Sequence, residues 1–377
     1  MSECVIIVGG GPAGMALALA LHRQGVAARI VDARARGAAA QDRRVLALSE
    51  GSRQMLALLG VWPRLHATAI DSIHVSQAGG FGRVLMQASE EDLPALGWVL
   101  DAGDLAAALD ARLHELGLPF VAGQRIDTPP ADAALTVWAE GVVSEAAAER
   151  RDYGQQAVIA IAHAETPHRG RAWERFTPQG PVAALPYHEA HSYAVVLTLP
   201  DERSASSWRD GKSQPGRGGV LPDLGRDEAA FLAELQRRFG SRLRFTGCGE
   251  RYVFPLGLRY RRRPVAERQV WIGNAAQTLH PVAGQGFNLA LRDIWTLACT
   301  LGEARDPGAA PTLNAYLRAR QPDRYGAMGF TDFLVRSFSN DNALLRQARA
   351  AGLCALDLLP PLRSFLARRM IFGARGF

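Results

Sequence analysis

The sequence of 377 residues is 48% hydrophobic, enough for a large core and, by the usual size of domains, for two domains or one elaborate one. Its four cysteines, Cys4, Cys248, Cys299 and Cys354, are scattered. They lack the paired spacing of a zinc site or a disulfide framework, so no metal centre is expected and the usage fits a reducing cytoplasm. The formal charge of +6 comes mainly from arginine, but no aromatic-interleaved basic motif accompanies it. Nucleic acid is therefore not an expected partner, whereas phosphates and acidic membrane surfaces are. The first apolar run is short and follows Glu3, so no signal peptide is expected, and no run approaches a bilayer-spanning length.

In chain order, residues 4–8 form a β-branched run fit for a buried parallel strand. Gly9-Gly-Gly-Pro-Ala-Gly14 follows, then a helical stretch that Gly25 ends. A second apolar run stops at Asp32, which completes one β-turn-α-β unit. Residues 70–77 and 82–87 read as a hairpin, 104–116 as a helix, and 135–139 as a strand leading into Glu140 and Gly141. Between 156 and 254, strand-like segments such as 157–161 and 193–199 are broken by Pro/Gly-rich turns, including a polar loop at 204–219. This stretch reads as a mostly antiparallel sheet inserted into a nucleotide-binding domain. Residues 270–274 return to a core strand, the chain from Gly286 is helical, and the last fifty or so residues are helical with a break at Pro360 and Pro361.

In Gly9-x-Gly11-x-x-Gly14 the first glycine permits a tight turn, the second admits a pyrophosphate, and the third lets helix and strand pack closely. Pro12 and Ala13 open the helix whose positive end would meet the phosphates. Asp32 suits a carboxylate that accepts hydrogen bonds from the ribose hydroxyls of an adenosine. This fingerprint alone fits NAD and FAD equally.

The segment 273–293 separates them. Gly273-Asn-Ala-Ala-Gln-Thr-Leu-His-Pro-Val-Ala-Gly-Gln-Gly-Phe-Asn288 resembles the flavin-facing segment of the aromatic-ring hydroxylase group of flavoprotein monooxygenases. Most of that group has aspartate where this chain has Asn274, but an amide also hydrogen-bonds ribityl hydroxyls. The spelling is similar to that of the ubiquinone-biosynthesis hydroxylases of the 2-octaprenyl-6-methoxyphenol hydroxylase type. Asp42-x-Arg44-x-x-Ala47-Leu48, Tyr153-Gly-Gln-Gln-Ala157, Glu174-Arg-Phe-Thr-Pro-Gln-Gly-Pro181 and the stretch from Thr331 to Asn340 are similar too.

The resemblance implies an α/β fold: a Rossmann-like FAD-binding domain of the aromatic hydroxylase type, discontinuous over 1–70, 98–155 and 259–330. An inserted, mostly antiparallel β-sheet substrate domain (71–97 and 156–258) and C-terminal helices (331–377) complete it. It implies FAD as cofactor, held by Gly9, Gly11, Pro12, Ala13, Gly14, Asp32, Arg44, Glu140, Gly141, Gly273, Asn274, Gly284, Gln285, Gly286 and Asn288. The expected reaction is hydroxylation of a phenolic, prenylated ubiquinone precursor by dioxygen activated as a C4a-hydroperoxide of the flavin. Pro281 and His280 are the candidate catalytic residues, with Pro281 and the 284–286 backbone on the oxygen side and residues 254–256 as a wall. One glycine-rich fingerprint implies a transient NAD(P)H or a separate reductase as electron donor.

The expected location is cytoplasmic, with peripheral membrane or biosynthetic-complex contact allowed; residues 353–372 themselves are expected to pack on their own domain or on a partner subunit, with peripheral contact with an acidic bilayer as the alternative. An FAD monooxygenase acting on a non-prenylated aromatic or an alkene, and a flavin-retaining accessory protein of a lipid-modifying complex, are the alternatives. A plain NAD-dependent dehydrogenase is disfavoured by the flavin-facing segment.

Overall fold

The computed structural model describes residues 4–141, 143–144, 147–200, 224, 227–338 and 343–374; the polar loop expected at 204–219 and the stretch 339–340 lie outside them. The fold is mixed α/β, built on three sheets. The first has the order β15-β16-β9-β1-β2-β8, with β1 (Val5–Val8), β2 (Ala28–Asp32), β8 (Phe120–Ala122), β9 (Leu135–Trp138), β15 (Val265–Ala266) and β16 (Gln269–Trp271). All its pairings are parallel except β15 with β16. Every side chain of β1 is buried, which is why that strand reads as an unbroken apolar run. Helices α1 (Pro12–Arg23), α3 (Ala102–Glu115) and α5 (Gln285–Gly302) pack into one core with it. Helix α1 is buried from Gly14 through Leu21, having neighbours on all sides.

The second sheet is the inserted one, with order β17-β14-β10-β13-β12-β11-β5-β6. Its strands are β5 (Ser72–Gln77), β6 (Arg83–Gln87), β10 (Ala148–Ala164), β11 (Arg171–Thr177), β12 (Gly180–Pro186), β13 (Ser192–Pro200), β14 (Phe245–Arg261) and β17 (Gln277–Thr278). Its pairings are antiparallel except β11 beside β5. Strand alternation gives it two dissimilar faces. Val182, Ala184, Val195 and Leu197 pack with Phe231, Leu235 and Phe239 of α4 (Glu228–Phe239), while Ala183, Leu185 and Val196 between them face a cavity. A third sheet places β7 (Gly97–Asp101) between β3 (Val45–Ser49) and β4 (Thr68–Ile70). Helix α2 (Glu50–Leu58) follows β3 directly, with Ser49 Oγ accepting from Ser52 N–H as its N-cap.

The chain ends in α6 (Ala310–Phe338), α7 (Ala343–Leu358) and α8 (Pro360–Phe372). The break foreseen at Pro360 and Pro361 is where α8 starts, prolines being tolerated in a first turn where no intrahelical donor is needed.

Helices α5 and α6 are tied by a buried lattice of charges. Arg292 Nε donates to Asp323 Oδ2 at 2.7 Å, and Arg320 donates to Asp293 at 2.6 Å and to Asp323 at 2.7 Å. Gln277 extends it, donating to Asp293 at 2.7 Å and accepting from Arg324 Nε at 2.6 Å. The Ala374 N–H caps Asp323 Oδ1 at 3.0 Å and so fastens the end of the described chain to the same cluster. Burial works against the Asp323 charge, but the Arg292 and Arg320 guanidiniums outweigh it and hold the carboxyl below the usual range.

Replacing Asp323 with alanine leaves two buried guanidiniums without their shared partner, and we expect a loss of about 3–5 kcal/mol of unfolding free energy in urea titrations. Because the folded pKa lies below the unfolded value, the contribution is full above the ordinary aspartate range and disappears as pH falls through the folded value. The gap between wild type and variant should therefore close on acidification.

Candidate functional site

Three glycine-rich segments meet where the first sheet faces α1 and α5. A Cβ on Gly14 would lie 2.0 Å from the Gly9 carbonyl oxygen, and one on Gly9 (φ 115) would lie 2.6 Å from Glu140 Cβ. Those two positions are closed to any side chain. Around Gly11 there is nothing within 4 Å of such a Cβ, so its glycine answers to no neighbour in the protein. Helix α1 begins there with Gly11 as N-cap and no side-chain cap, leaving its first N–H groups aimed at that opening.

Gly273 (φ 57) presses on the same turn, a Cβ there coming 3.2 Å from Ala13 Cβ, and the next residue, Asn274, is exposed. Further on, Gly284 (φ 60) caps α5, again without a side-chain cap, and a Cβ on it would stand 3.3 Å from Ala47 Cβ on β3. Around Gly286 the space is open within 4 Å. The residues thus form two helix N-termini without side-chain caps, with the exposed Asn274 amide on the segment that packs against the first of them. This arrangement suits a diphosphate at one end and a ring with a developing negative edge at the other. FAD fits that donor set, with room left where Gly11 and Gly286 would otherwise carry side chains.

The side chains divide more unevenly than the motifs suggest. Asp32 is 3% exposed, and its oxygens accept from Gly10 N at 2.6 Å, from Arg34 N at 2.7 Å and from the Arg34 guanidinium at 3.0 Å. Burial opposes its charge, but Arg34 and the Gly10 N–H hold the carboxyl below the usual range. A ribose hydroxyl would therefore meet an occupied carboxylate, with the half-exposed Arg34 as the partner that gives way. Glu140 lies beside this pair, and burial followed by the Asp32 charge raises its carboxyl; Gly141 turns with φ 75. Arg44, expected at the flavin or the substrate entrance, is exposed and grips Asp42 in a two-residue loop at 2.6 Å.

Asn288 makes four hydrogen bonds within the fold. Its Nδ2 donates to Ala47 O at 2.9 Å and Gly284 O at 2.7 Å, and its Oδ1 accepts from Ser49 N at 2.8 Å and Ser52 Oγ at 2.6 Å. The amide has nothing left over for a ligand; it clamps the 284–288 turn to β3 and α2. His280 is likewise internal. It is 1% exposed, its Nδ1 accepts the Val282 N–H at 3.1 Å, and its ring meets Tyr153 edge-on with centroids 5.8 Å apart. Burial pushes its pKa down to about 4, so the ring is neutral at physiological pH.

Pro281, Gly284 and Gln285 face a cavity of about 680 Å³, within the size range of small-molecule sites. One wall is the free face of the second sheet, and the opposite wall comes from α6, α7 and α8, with Phe333, Leu353 and Met370 among the lining. Residues 254–256, expected as a wall, do not line it: they pair with β10 at the far end of the sheet. The C-terminal helices do the walling instead. Their part was missed because an apolar helix face reads the same whether it covers a core or a cavity. Glu174, inside a stretch singled out only for resemblance, is the acid on the sheet wall opposite them.

Two glycine substitutions separate fold from cofactor. Gly14→Ala should cost several kcal/mol of stability, about 3 or more, from overpacking on the Gly9 carbonyl. Gly11→Ala should stay within about 0.5 kcal/mol of wild type in unfolding, the backbone there being ordinary (φ −80) and its surroundings empty. It should nevertheless bind FAD at least about tenfold more weakly in a flavin titration of apoprotein.

Comparison with known proteins agrees with this geometry. A family model described as FAD binding domain matches residues 3–130 and 165–330. The ubiquinone hydroxylase UbiL of Rhodospirillum rubrum is 33% identical over 396 residues, covering 97% of this chain and 88% of its own. The 3-demethoxyubiquinol 3-hydroxylase of Escherichia coli is 29% identical, with 94% of each covered. Among solved structures, a probable FAD-dependent monooxygenase of Pseudomonas aeruginosa, pqsL, superposes with a TM-score of 0.71 at 20% identity, covering 93% of this chain and 99% of that one. The p-nitrophenol 4-monooxygenase PnpA of Pseudomonas putida gives 0.70 at 14% identity, with 98% of each covered; at such identities the likeness carries the fold alone. The chain belongs to the FAD binding domain family and is an FAD-dependent monooxygenase of the aromatic hydroxylase kind.

Proposed function

We propose that this protein hydroxylates the ring of a phenolic, prenylated ubiquinone precursor, with FAD as resident cofactor and dioxygen as co-substrate. The observation that carries the reading is the junction of the 281–286 loop with a cavity whose walls are almost wholly apolar. A polyprenyl tail gains by leaving water for such walls, at about 0.8 kcal/mol for each buried methylene. The full-length relatives named for ubiquinone hydroxylation support the same substrate class.

FAD bound here would supply two-electron reduction and the activation of dioxygen. The chain's part is to bind, orient and keep water out. We assign the pyrophosphate to Gly9, Gly11, Pro12, Ala13 and Gly14, the ribose to Asp32 once Arg34 yields, and the neighbourhood of both to Glu140 and Gly141. Gly273 and Asn274 take the ribityl chain. The backbone of Gly284, Gln285, Gly286 and Asn288 takes the ring, and Arg44 stands at the entrance before β3. Of the two candidate catalytic residues, Pro281 supplies wall at the reacting side, and His280, neutral and fixed to Val282, holds the turn in place. Residues 1–70, 98–155 and 259–330 then serve as the cofactor portion and 71–97 with 156–258 as the substrate portion. Residues 331–377 close the cavity between them. Electrons arrive from a transient NAD(P)H or a separate reductase.

Among the described residues no single helix is long and apolar enough to cross a membrane, and the pair Arg346–Leu358 and Pro360–Phe372 is bent by 98°. Leu358 and Phe365, 72% and 68% exposed, stand out at that bend among arginines. We assign to it peripheral contact with an anionic bilayer, the arginines meeting headgroups and the apolar tips meeting the acyl boundary. The tail then reaches the cavity through the C-terminal helices that wall it.

One turnover assay tests both parts. Purified protein should show flavin absorption bands and consume dioxygen only when a reductant and a prenylated methoxyphenol are both present. A long-tailed substrate carried in anionic vesicles should be turned over at least about tenfold more slowly by Phe365→Glu, and a short-tailed one in solution equally well by both. Flavin bands without substrate-stimulated oxygen consumption would favour an accessory role; equal vesicle rates would remove the membrane contact.

A further inference from the structure

Along β11, Ala172, Glu174 and Phe176 all reach the cavity. Glu174 occupies a cross-strand row with Val75 on β5, Ala183 on β12 and Val196 on β13, all of which line the same space. Its row-mates are aliphatic. Glu174 Oε1 is shut off from solvent and has no hydrogen-bond partner among the described residues. Burial alone raises the carboxyl to about 8, so the group keeps its proton at neutral pH, as the cost of an unpaired carboxylate in apolar surroundings requires. Two residues along the strand, roughly 7 Å away, Phe176 shares an apolar cluster with Val282 of the 281–286 loop. The carboxyl and the 281–286 loop thus border the same cavity.

The other charged groups lining the cavity are engaged. Arg336 on α6 pairs with Asp332, Arg349 on α7 donates to the Ser337 carbonyl, and Arg363 on α8 donates to the Asp357 carbonyl and to Glu90. Asn288 is committed to its clamp. None of these enters the Glu174 titration, and β5, β12 and β13 present only aliphatic side chains to it in its row. A neutral carboxyl carries one donor and an acceptor side by side, which is what a ring hydroxyl flanked by a second ring oxygen pairs with.

We propose that Glu174 reads the substrate ring: its carbonyl oxygen accepts the ring O–H, its own O–H donates to the neighbouring ring oxygen, and this pairing decides which ring carbon faces the 281–286 loop. No bond is made or broken at Glu174, so it is a specificity-determining residue. The assignment rests on the phenol reading above.

The test is equilibrium binding to oxidised, flavin-loaded protein, followed through the flavin spectrum, of a short-tailed prenylated 2-methoxyphenol and its O-methyl ether. Wild type should prefer the phenol by about tenfold, the worth of one well-made hydrogen bond. Glu174→Leu should lose the preference, the phenol being weakened more than the ether, and on turnover it should give more than one ring isomer. Glu174→Gln, which keeps a donor and an acceptor, should retain a preference that does not change with pH, whereas above pH 8 the wild-type one should rise, because the ionised carboxylate still accepts the ring O–H, and more strongly, but no longer donates to either compound. A preference and single isomer unchanged in Glu174→Leu would overturn the assignment, as would the same alkaline rise in Glu174→Gln. If wild-type protein binds neither compound, the phenol reading itself falls and this assignment with it.

Discussion

The Arg–Asp lattice between α5 and α6 is the constraint on which the rest of the molecule hangs. Two carboxylates and three guanidiniums are removed from water there: Arg292 and Arg320 hydrogen-bond the carboxylates directly, and Arg324 is held by Gln277 and the Ala276 carbonyl. The lattice fixes more than two helices. Through Gln277 it holds the turn that follows Gly273 and Asn274, and through Ala374 N–H it anchors the chain after α8. One charge cluster therefore holds both the turn after Asn274 and the end of the helices that wall the cavity.

A second, uncharged clamp works beside it. Asn288 joins Gly284, Ala47, Ser49 and Ser52, and Ser49 Oγ in turn donates to the Ile371 carbonyl at 2.9 Å. The loop at 281–286, strand β3, the start of α2 and the end of α8 are thereby held in one network. A ring placed against that loop would sit on a rigid floor, beneath a sheet face and opposite three helices. Such a site excludes water by packing and leaves reactivity to the cofactor.

How much of this the sequence made legible follows from range. The βαβ unit, the insertion of an antiparallel sheet and the glycines at 9, 11 and 14 are local patterns, as is the hairpin expected at 70–77 and 82–87, which forms over 72–77 and 83–87 with Ile70 ending a strand of another sheet. Gly11 and Gly14 even separate by cause, one closed by a carbonyl and the other by nothing in the protein. The failures are long-range. Asn288 reads as a ligand contact because its motif is a cofactor motif, yet three of its four side-chain hydrogen bonds go to residues 236 to 241 positions away along the chain. Residues 254–256 look like a pocket wall by composition but sit on the wrong part of the sheet. Arg292, Arg320 and Arg324 carry no local signal of burial; only tertiary pairing shows them buried. Glu174 left a local trace, an acid alternating with Ala172 and Phe176 on a strand, whose meaning depended on which face the cavity would take.

The central claim is that oxygen from dioxygen enters an aromatic ring at the end of the 281–286 loop. Turnover of a prenylated methoxyphenol under heavy-oxygen-labelled dioxygen in ordinary water, with the product read by mass spectrometry, tests it most directly. The account predicts one labelled oxygen on the product ring for each reductant consumed. Product carrying oxygen from water, or reductant consumed with all oxygen released as peroxide and the ring unchanged, would contradict it.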